Sequence, residues 1–219
     1  MSAGRAQLLL AIALALIAAA CSTTHPATSV VRLAGTACLK PIIGTGVAVD
    51  DDLVLTVAHT IAGAEDDLRI VTPQGEERSV TVVAFDSDRD LALLAVEGLD
   101  ATPVVLGSAG KGDSGTIAAV NGDLAVEFIK YTVLRVVNAR STDIYNEGHV
   151  ERDALDIKAR IEPGVSGAPL VDSNGEVVGI VFARSETREE GGYALSTSEI
   201  TDFLDSVDPG TVADRGRCR

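Results

Sequence analysis

Leu53-Val54-Leu55-Thr56-Val57-Ala58-His59-Thr60 is an apolar stretch, rich in β-branched residues, that ends in a histidine at the entrance to a tight turn. A run of this length bounded by turn residues reads as a buried strand. Asp50-Asp51-Asp52 closes it on one side, and residues 59–63 read as a short helical turn on the other. The same alternation extends in both directions. Short apolar segments occupy residues 42–49, 68–72, 80–85, 91–96, 116–120, 125–134, 154–161, 169–171, 177–183 and 193–195. Between them lie turn signals such as Pro73-Gln74-Gly75, Asn121-Gly122-Asp123 and Ser173-Asn174-Gly175. Many short strands separated by turns predict an all-β sandwich or barrel. One longer helix is expected over residues 196–207, with Ser198 as its N-cap and Ile200, Phe203, Leu204 and Val207 along one face.

A length of 219 residues holds one large or two small domains. Hydrophobic residues make up 46% and aromatics only 3%, with no Trp, so the core must come from Val, Leu, Ile and Ala. That composition excludes an intrinsically disordered chain. With 32 acidic and 18 basic side chains the net charge is −14, which argues against a nucleic-acid partner because phosphate binding needs a concentrated positive field. Anionic lipid would repel the same charge. Any membrane link must therefore be hydrophobic or covalent.

Arg5 precedes an uncharged apolar run over residues 8–20, too short to span a bilayer as a stable helix. It reads as a secretory signal peptide, residues 1–20. Ala18-Ala19-Ala20-Cys21 resembles a bacterial lipobox, in which Cys21 would be lipidated and become the new N-terminus; plain cleavage after the Ala-x-Ala is the alternative. Residues 21–30 are polar and aperiodic and suit a flexible tether. If Cys21 carries lipid, Cys38 and Cys218 remain, an even number in an oxidising compartment. Bonded, they would tie the start of the domain to its last residues; two unpaired thiols are the alternative.

Three strings carry the chemistry. The first ends in His59. The second, Asp86-Ser87-Asp88-Arg89-Asp90-Leu91, puts Asp90 just ahead of an apolar strand, with Asp86 and Asp88 as more solvated alternatives. The third, Gly164-Val165-Ser166-Gly167-Ala168-Pro169-Leu170, puts Ser166 on a glycine-rich loop. A serine hydroxyl is a weak nucleophile near neutral pH and needs a base; imidazole has the right basicity, and a carboxylate behind it fixes the tautomer. Glycines beside the serine let backbone N–H groups reach a substrate carbonyl, so the amides of Gly164 and Ser166 are the expected oxyanion donors.

The order His59, Asp90, Ser166 resembles the trypsin-like (chymotrypsin-fold) serine proteases, above all the bacterial HtrA/Deg type. Ile43-Gly44-Thr45-Gly46-Val47 is similar to that family's strand before the histidine, and Asn174-Gly175-Glu176-Val177-Val178-Gly179-Ile180 to its strand after the serine. The resemblance implies two six-stranded antiparallel β-barrels, over about residues 31–110 and 111–195, with the site between them. The C-terminal helix and a tail over 208–219 follow. It implies an exported endopeptidase acting on proteins or peptides through an acyl-enzyme, lipid-anchored or free in the cell envelope. No room for a PDZ domain is expected after the helix. The oligomeric state is left open.

Gly112-Asp113-Ser114-Gly115 looks more like the familiar G-D-S-G string, but no G-A-P-L strand follows it, and Ser114 reads as a turn residue. Val165 and Ala168 depart from the family pattern, which leaves an inactive protease-fold scaffold as the alternative. By the family's layout, Arg160, Ile161, Val181, Phe182 and Ala183 would line the primary pocket. With Arg160 there, cleavage after Lys or Arg is expected to be disfavoured. Small apolar or acidic residues would be accepted if Arg160 points inward; Arg160 facing solvent or pairing with Glu162 is the alternative. No metal or organic cofactor is implied, because Cys and His are too few and too scattered.

Overall fold

The strand grammar of the sequence resolves into two antiparallel sheets. The computed structural model describes residues 26–219, so the signal peptide expected over 1–20 and the lipidation expected at Cys21 lie outside the described residues. In chain order the first half contains β1 (Val30–Ala34), β2 (Thr36–Ala37), β3 (Lys40–Pro41), β4 (Gly44–Asp50), β5 (Leu53–Thr56), α1 (Ala58–Ile61), β6 (Arg69–Val71), β7 (Glu77–Ser79), β8 (Thr81–Asp86) and β9 (Leu91–Ala95). The second half contains β10 (Ser114–Val120), β11 (Val126–Thr142), β12 (His149–Lys158), β13 (Pro169–Val171), β14 (Val177–Arg184), β15 (Gly192–Ser196) and α2 (Thr197–Ser206).

The second half is a closed six-stranded barrel in the order β10-β11-β12-β15-β14-β13. The first is a seven-stranded sheet in the order β7-β6-β1-β4-β5-β9-β8, with β2 and β3 as a separate ribbon. The seventh strand is β7, created where the Pro73-Gln74-Gly75 turn folds residues 77–79 back on β6 in the register Arg69↔Ser79 to Val71↔Glu77. Its side chains are largely exposed, so no apolar signal marked it.

Three apolar clusters make up the core. One fills the first sheet around Leu33, Ile70 and Leu94, and another fills the barrel around Ile117, Leu155 and Leu170. The third lies between them, packing Val47, Leu55 and Leu93 against Val120, Ile180 and Phe203. Burying such side chains contributes roughly 1.5–3 kcal/mol each, so the two halves have strong reason to stay docked.

The tether is shorter than expected. Ser29 and Val30 are buried, and the Ser29 hydroxyl donates to the Thr102 carbonyl at 2.6 Å, so the fold begins by residue 29. The C-terminal helix starts one residue after its expected first position. Its N-cap is Ser196, not Ser198, because the chain stays extended through Ser196 as β15 ends there. Strands β11 and β12 run past the barrel as a two-stranded ribbon, with Thr142 opposite His149, and the tip inserts Ile144 into the first sheet's core. His149 therefore opens a strand, β12. Ser114, expected in a turn, opens β10 opposite Thr132.

The tail also packs on the first sheet. Ala213 N–H donates to Val82 O at 2.8 Å, Arg215 pairs with Asp66 at 2.7 Å, and Cys38 and Cys218 are joined as a disulfide with Cα atoms 5.6 Å apart.

Candidate active site

The site forms where the two halves meet. Strand β5 delivers His59 into α1, too short to be stable alone. The first N–H groups of α1 have no partner within the helix. Asp90 supplies both: its carbonyl accepts from Ala58 N–H at 3.2 Å, and its Oδ1 accepts from His59 N–H at 2.8 Å. The other carboxylate oxygen, Oδ2, lies 2.7 Å from His59 Nδ1. A carboxylate can only accept, so Nδ1 carries the proton and Nε2 is free to act as a base. That nitrogen lies 3.2 Å from Ser166 Oγ. The Asp90 side chain is 5% exposed and that of His59 is 16%, so the carboxylate is buried while the imidazole reaches the cleft.

Asp90 adopts a left-handed backbone with φ 62°, a conformation that costs a non-glycine residue about 1–2 kcal/mol. The hydrogen bonds to α1 hold it there. The two other candidate carboxylates are placed elsewhere. Asp86 Oδ1 accepts from the N–H groups of Asp88 and Arg89 and its Oδ2 pairs with the Arg89 side chain, whereas Asp88 is exposed.

The Ser166 loop is held by Thr45, a fully buried residue of β4. Thr45 N–H donates to Ser166 O at 2.9 Å, and its hydroxyl donates to Gly164 O at 2.9 Å while accepting from Val120 N–H at 3.2 Å. A polar residue between two glycines of an apolar strand was the available signal, since a buried hydroxyl must find partners. Gly164 and Gly167 have φ of +99° and +84°. At Gly167 a Cβ would stand 2.0 Å from Thr45 O, so the backbones approach too closely for any side chain. The N–H groups of Gly164 and Ser166 make no hydrogen bond to another described residue, while the neighbouring N–H groups of Val165, Gly167 and Ala168 are all engaged.

Val165 and Ala168 are both buried in the barrel core beside Leu170 and Val181. Ala168 is fully buried within that packing, and its N–H donates to Val165 O at 3.0 Å. Of the expected pocket residues, Ile161 and Val181 are buried in the same cluster, and Phe182 and Ala183 are half-buried along β14. Arg160 does not point inward. It is exposed and pairs with Glu162 at 2.7 Å, because solvent and an adjacent carboxylate serve a guanidinium better than an apolar wall. No cluster of three or more His, Cys, Asp or Glu suited to a metal occurs among the described residues.

Residues 44–180 match the trypsin-like peptidase domain. The chain belongs to this family. The serine protease Rv3671c of Mycobacterium tuberculosis is 31% identical over 202 residues, 90% of this chain and 50% of that protein. A probable periplasmic DegP-like serine endoprotease of Hahella chejuensis is 31% identical over 176 residues, 77% of this chain and 36% of that one. The chain thus spans half or less of the length of these trypsin-like relatives. Among solved structures, the active form of the M. tuberculosis Rv3671c protease superposes with a TM-score of 0.84 at 30% identity, covering 88% of this chain and 86% of that one. The inactive form gives 0.73 at 30% identity, covering 83% and 90%.

Proposed function

We propose that this chain is an exported serine endopeptidase that cleaves peptide bonds through an acyl-enzyme. Ser166 Oγ attacks the scissile carbonyl as His59 Nε2 takes its proton, and Asp90 steadies the imidazolium that forms. The tetrahedral oxyanion is received by the N–H groups of Gly164 and Ser166. His59 then gives its proton to the leaving amine, and a water repeats the sequence to free the acid and regenerate Ser166.

The observation that carries this reading is the continuous contact from Asp90 Oδ2 through His59 to Ser166 Oγ, at 2.7 and 3.2 Å. The higher similarity to the active than to the inactive Rv3671c form supports it. Labelling of the folded protein by a fluorophosphonate, compared with Ser166→Ala, tests it. Labelling that depends on Ser166 is the expected result; none in a folded sample would favour a scaffold that keeps the fold without turnover.

The exposed Arg160–Glu162 pair removes the basis for an acidic primary specificity, and the lack of an acidic residue at position 160 leaves cleavage after Lys or Arg disfavoured. A peptide-library profile dominated by cleavage after Lys would overturn this. We infer export from the apolar run over residues 8–20 and from the Cys38–Cys218 pairing, which suits an oxidising compartment. Lipid on Cys21 would make the membrane contact covalent. Loss of the protein from the membrane fraction in Cys21→Ser, with a matching change in the mass of the N-terminal peptide, is the expected outcome.

A further inference from the structure

We propose that Arg152 is a positioning residue for the catalytic carboxylate, acting through the loop that carries Asp90; the proposal rests on the serine-protease reading above. Arg152 lies on β12 and is only 4% exposed. Its Nε donates to Asp88 O at 2.5 Å and its Nη2 to Thr142 O at 3.2 Å, and the guanidinium carbon stands 5.9 Å from the centre of the Phe182 ring. Its polar partners are thus two backbone carbonyls. A buried guanidinium served in this way is expensive to desolvate, and an apolar side chain of similar volume would fill the space at less cost. What the arginine adds is a fixed distance between β12 and Asp88, two residues ahead of Asp90.

The neighbouring contacts point the same way. Ser87 O accepts from Ile144 N–H at 3.2 Å at the tip of the β11–β12 ribbon, and Arg89 pairs with Glu199 of α2 at 3.4 Å. Residues 87, 88 and 89, which belong to the first sheet's connection, are therefore each held by the half that carries Ser166. Asp90 follows in a strained left-handed conformation that persists only if its surroundings over-determine it. Arg152 is the buried charge of this brace, and it sets where Asp90, and through it His59, stands relative to the nucleophile.

Fluorophosphonate inactivation kinetics separate reactivity (kinact) from binding (KI) without needing a substrate. Arg152→Met keeps the stem volume and removes both hydrogen bonds; the expected result is a kinact at least tenfold lower with KI within twofold of the parent. The downfield proton resonance of His59 Nδ1–H should also shift or broaden. Arg152→Lys, which keeps a cation with a different reach, should fall between the two and serves with the same criteria if the methionine variant does not fold. Ile70→Val, a remote change in the first sheet's core, should alter melting without moving kinact or the resonance. Parental kinact and resonance in both Arg152 variants, with the parent labelled, would overturn the inference alone. A folded parent with no Ser166-dependent labelling would overturn the protease reading and this inference with it.

Discussion

Asp90 meets His59 twice, accepting the backbone N–H on Oδ1 at 2.8 Å and the ring Nδ1 on Oδ2 at 2.7 Å. The first contact completes the start of α1 and the second chooses the tautomer. An amide in place of the carboxylate can keep the first contact. Presenting its NH2 to Nδ1, it would leave the proton on Nε2, where the base is needed. Asp90→Asn is expected to fold normally and to lose about 10⁴ in kcat. Circular dichroism and steady-state kinetics on one sample check both halves of this statement.

Gly167→Ala should damage the site and the fold together. The new methyl would meet Thr45 O at 2.0 Å and Thr56 Oγ1 at 2.5 Å, and the residue sits at φ +84°. The first of these atoms is backbone in a central strand and cannot swing aside. A destabilisation of about 3 kcal/mol or more is expected, with loss of fluorophosphonate labelling. Urea denaturation measures the first and in-gel fluorescence the second.

Much of this was readable in advance and the rest was not, for identifiable reasons. His59, Asp90 and Ser166 stood out because His59 ends an apolar strand while Asp90 and Ser166 stand just ahead of one, and burial leaves a strong imprint on sequence. The outer part of the β11–β12 ribbon left none. From Asn138 to Thr142 its residues face solvent on much of both sides, so neither period-two alternation nor an apolar run appears. Arg152 stands between Glu151 and Asp153 with no local sign of burial, and it is buried because the ribbon lies across the first sheet's connection. Thr45 is an intermediate case: its strand was identified, but its hydrogen bonds depend on the barrel bringing the Ser166 loop to it.

Asp156 links acid tolerance to the barrel. Its buried carboxylate accepts from Arg135 and Arg188. Burial pushes its pKa up, but the hydrogen bonds and charges of Arg188 and Arg135 outweigh this and hold it below the usual 3.8. A carboxylate with a depressed folded pKa contributes stability that is fully present above the unfolded value, about 3.9, and is lost as pH falls through the folded one. The urea midpoint of the parent should therefore exceed that of Asp156→Asn at pH 7, with the gap narrowing below about pH 4. A gap that stays constant down to pH 2 would contradict this.

Tyr131 is a place where stability can be added. Its hydroxyl is buried with no hydrogen-bond partner among the described residues. Burial, with Asp172 and Asp113 adding to it, pushes its pKa up to about 12. Tyr131→Phe removes an unsatisfied polar atom while keeping the ring, and should raise stability by about 1 kcal/mol. A thermal melt should show a Tm higher by about 2–4 °C. A lower Tm would mean that the hydroxyl is satisfied in solution.

The disulfide between Cys38 and Cys218, 180 residues apart in sequence, encloses His59, Asp90 and Ser166 within one covalent circle. For a peptidase this bears on self-inflicted damage. A single nick anywhere in the enclosed segment opens the circle without releasing a fragment. The clipped molecule keeps its mass, apart from one added water, and runs as one species until a reductant separates the pieces.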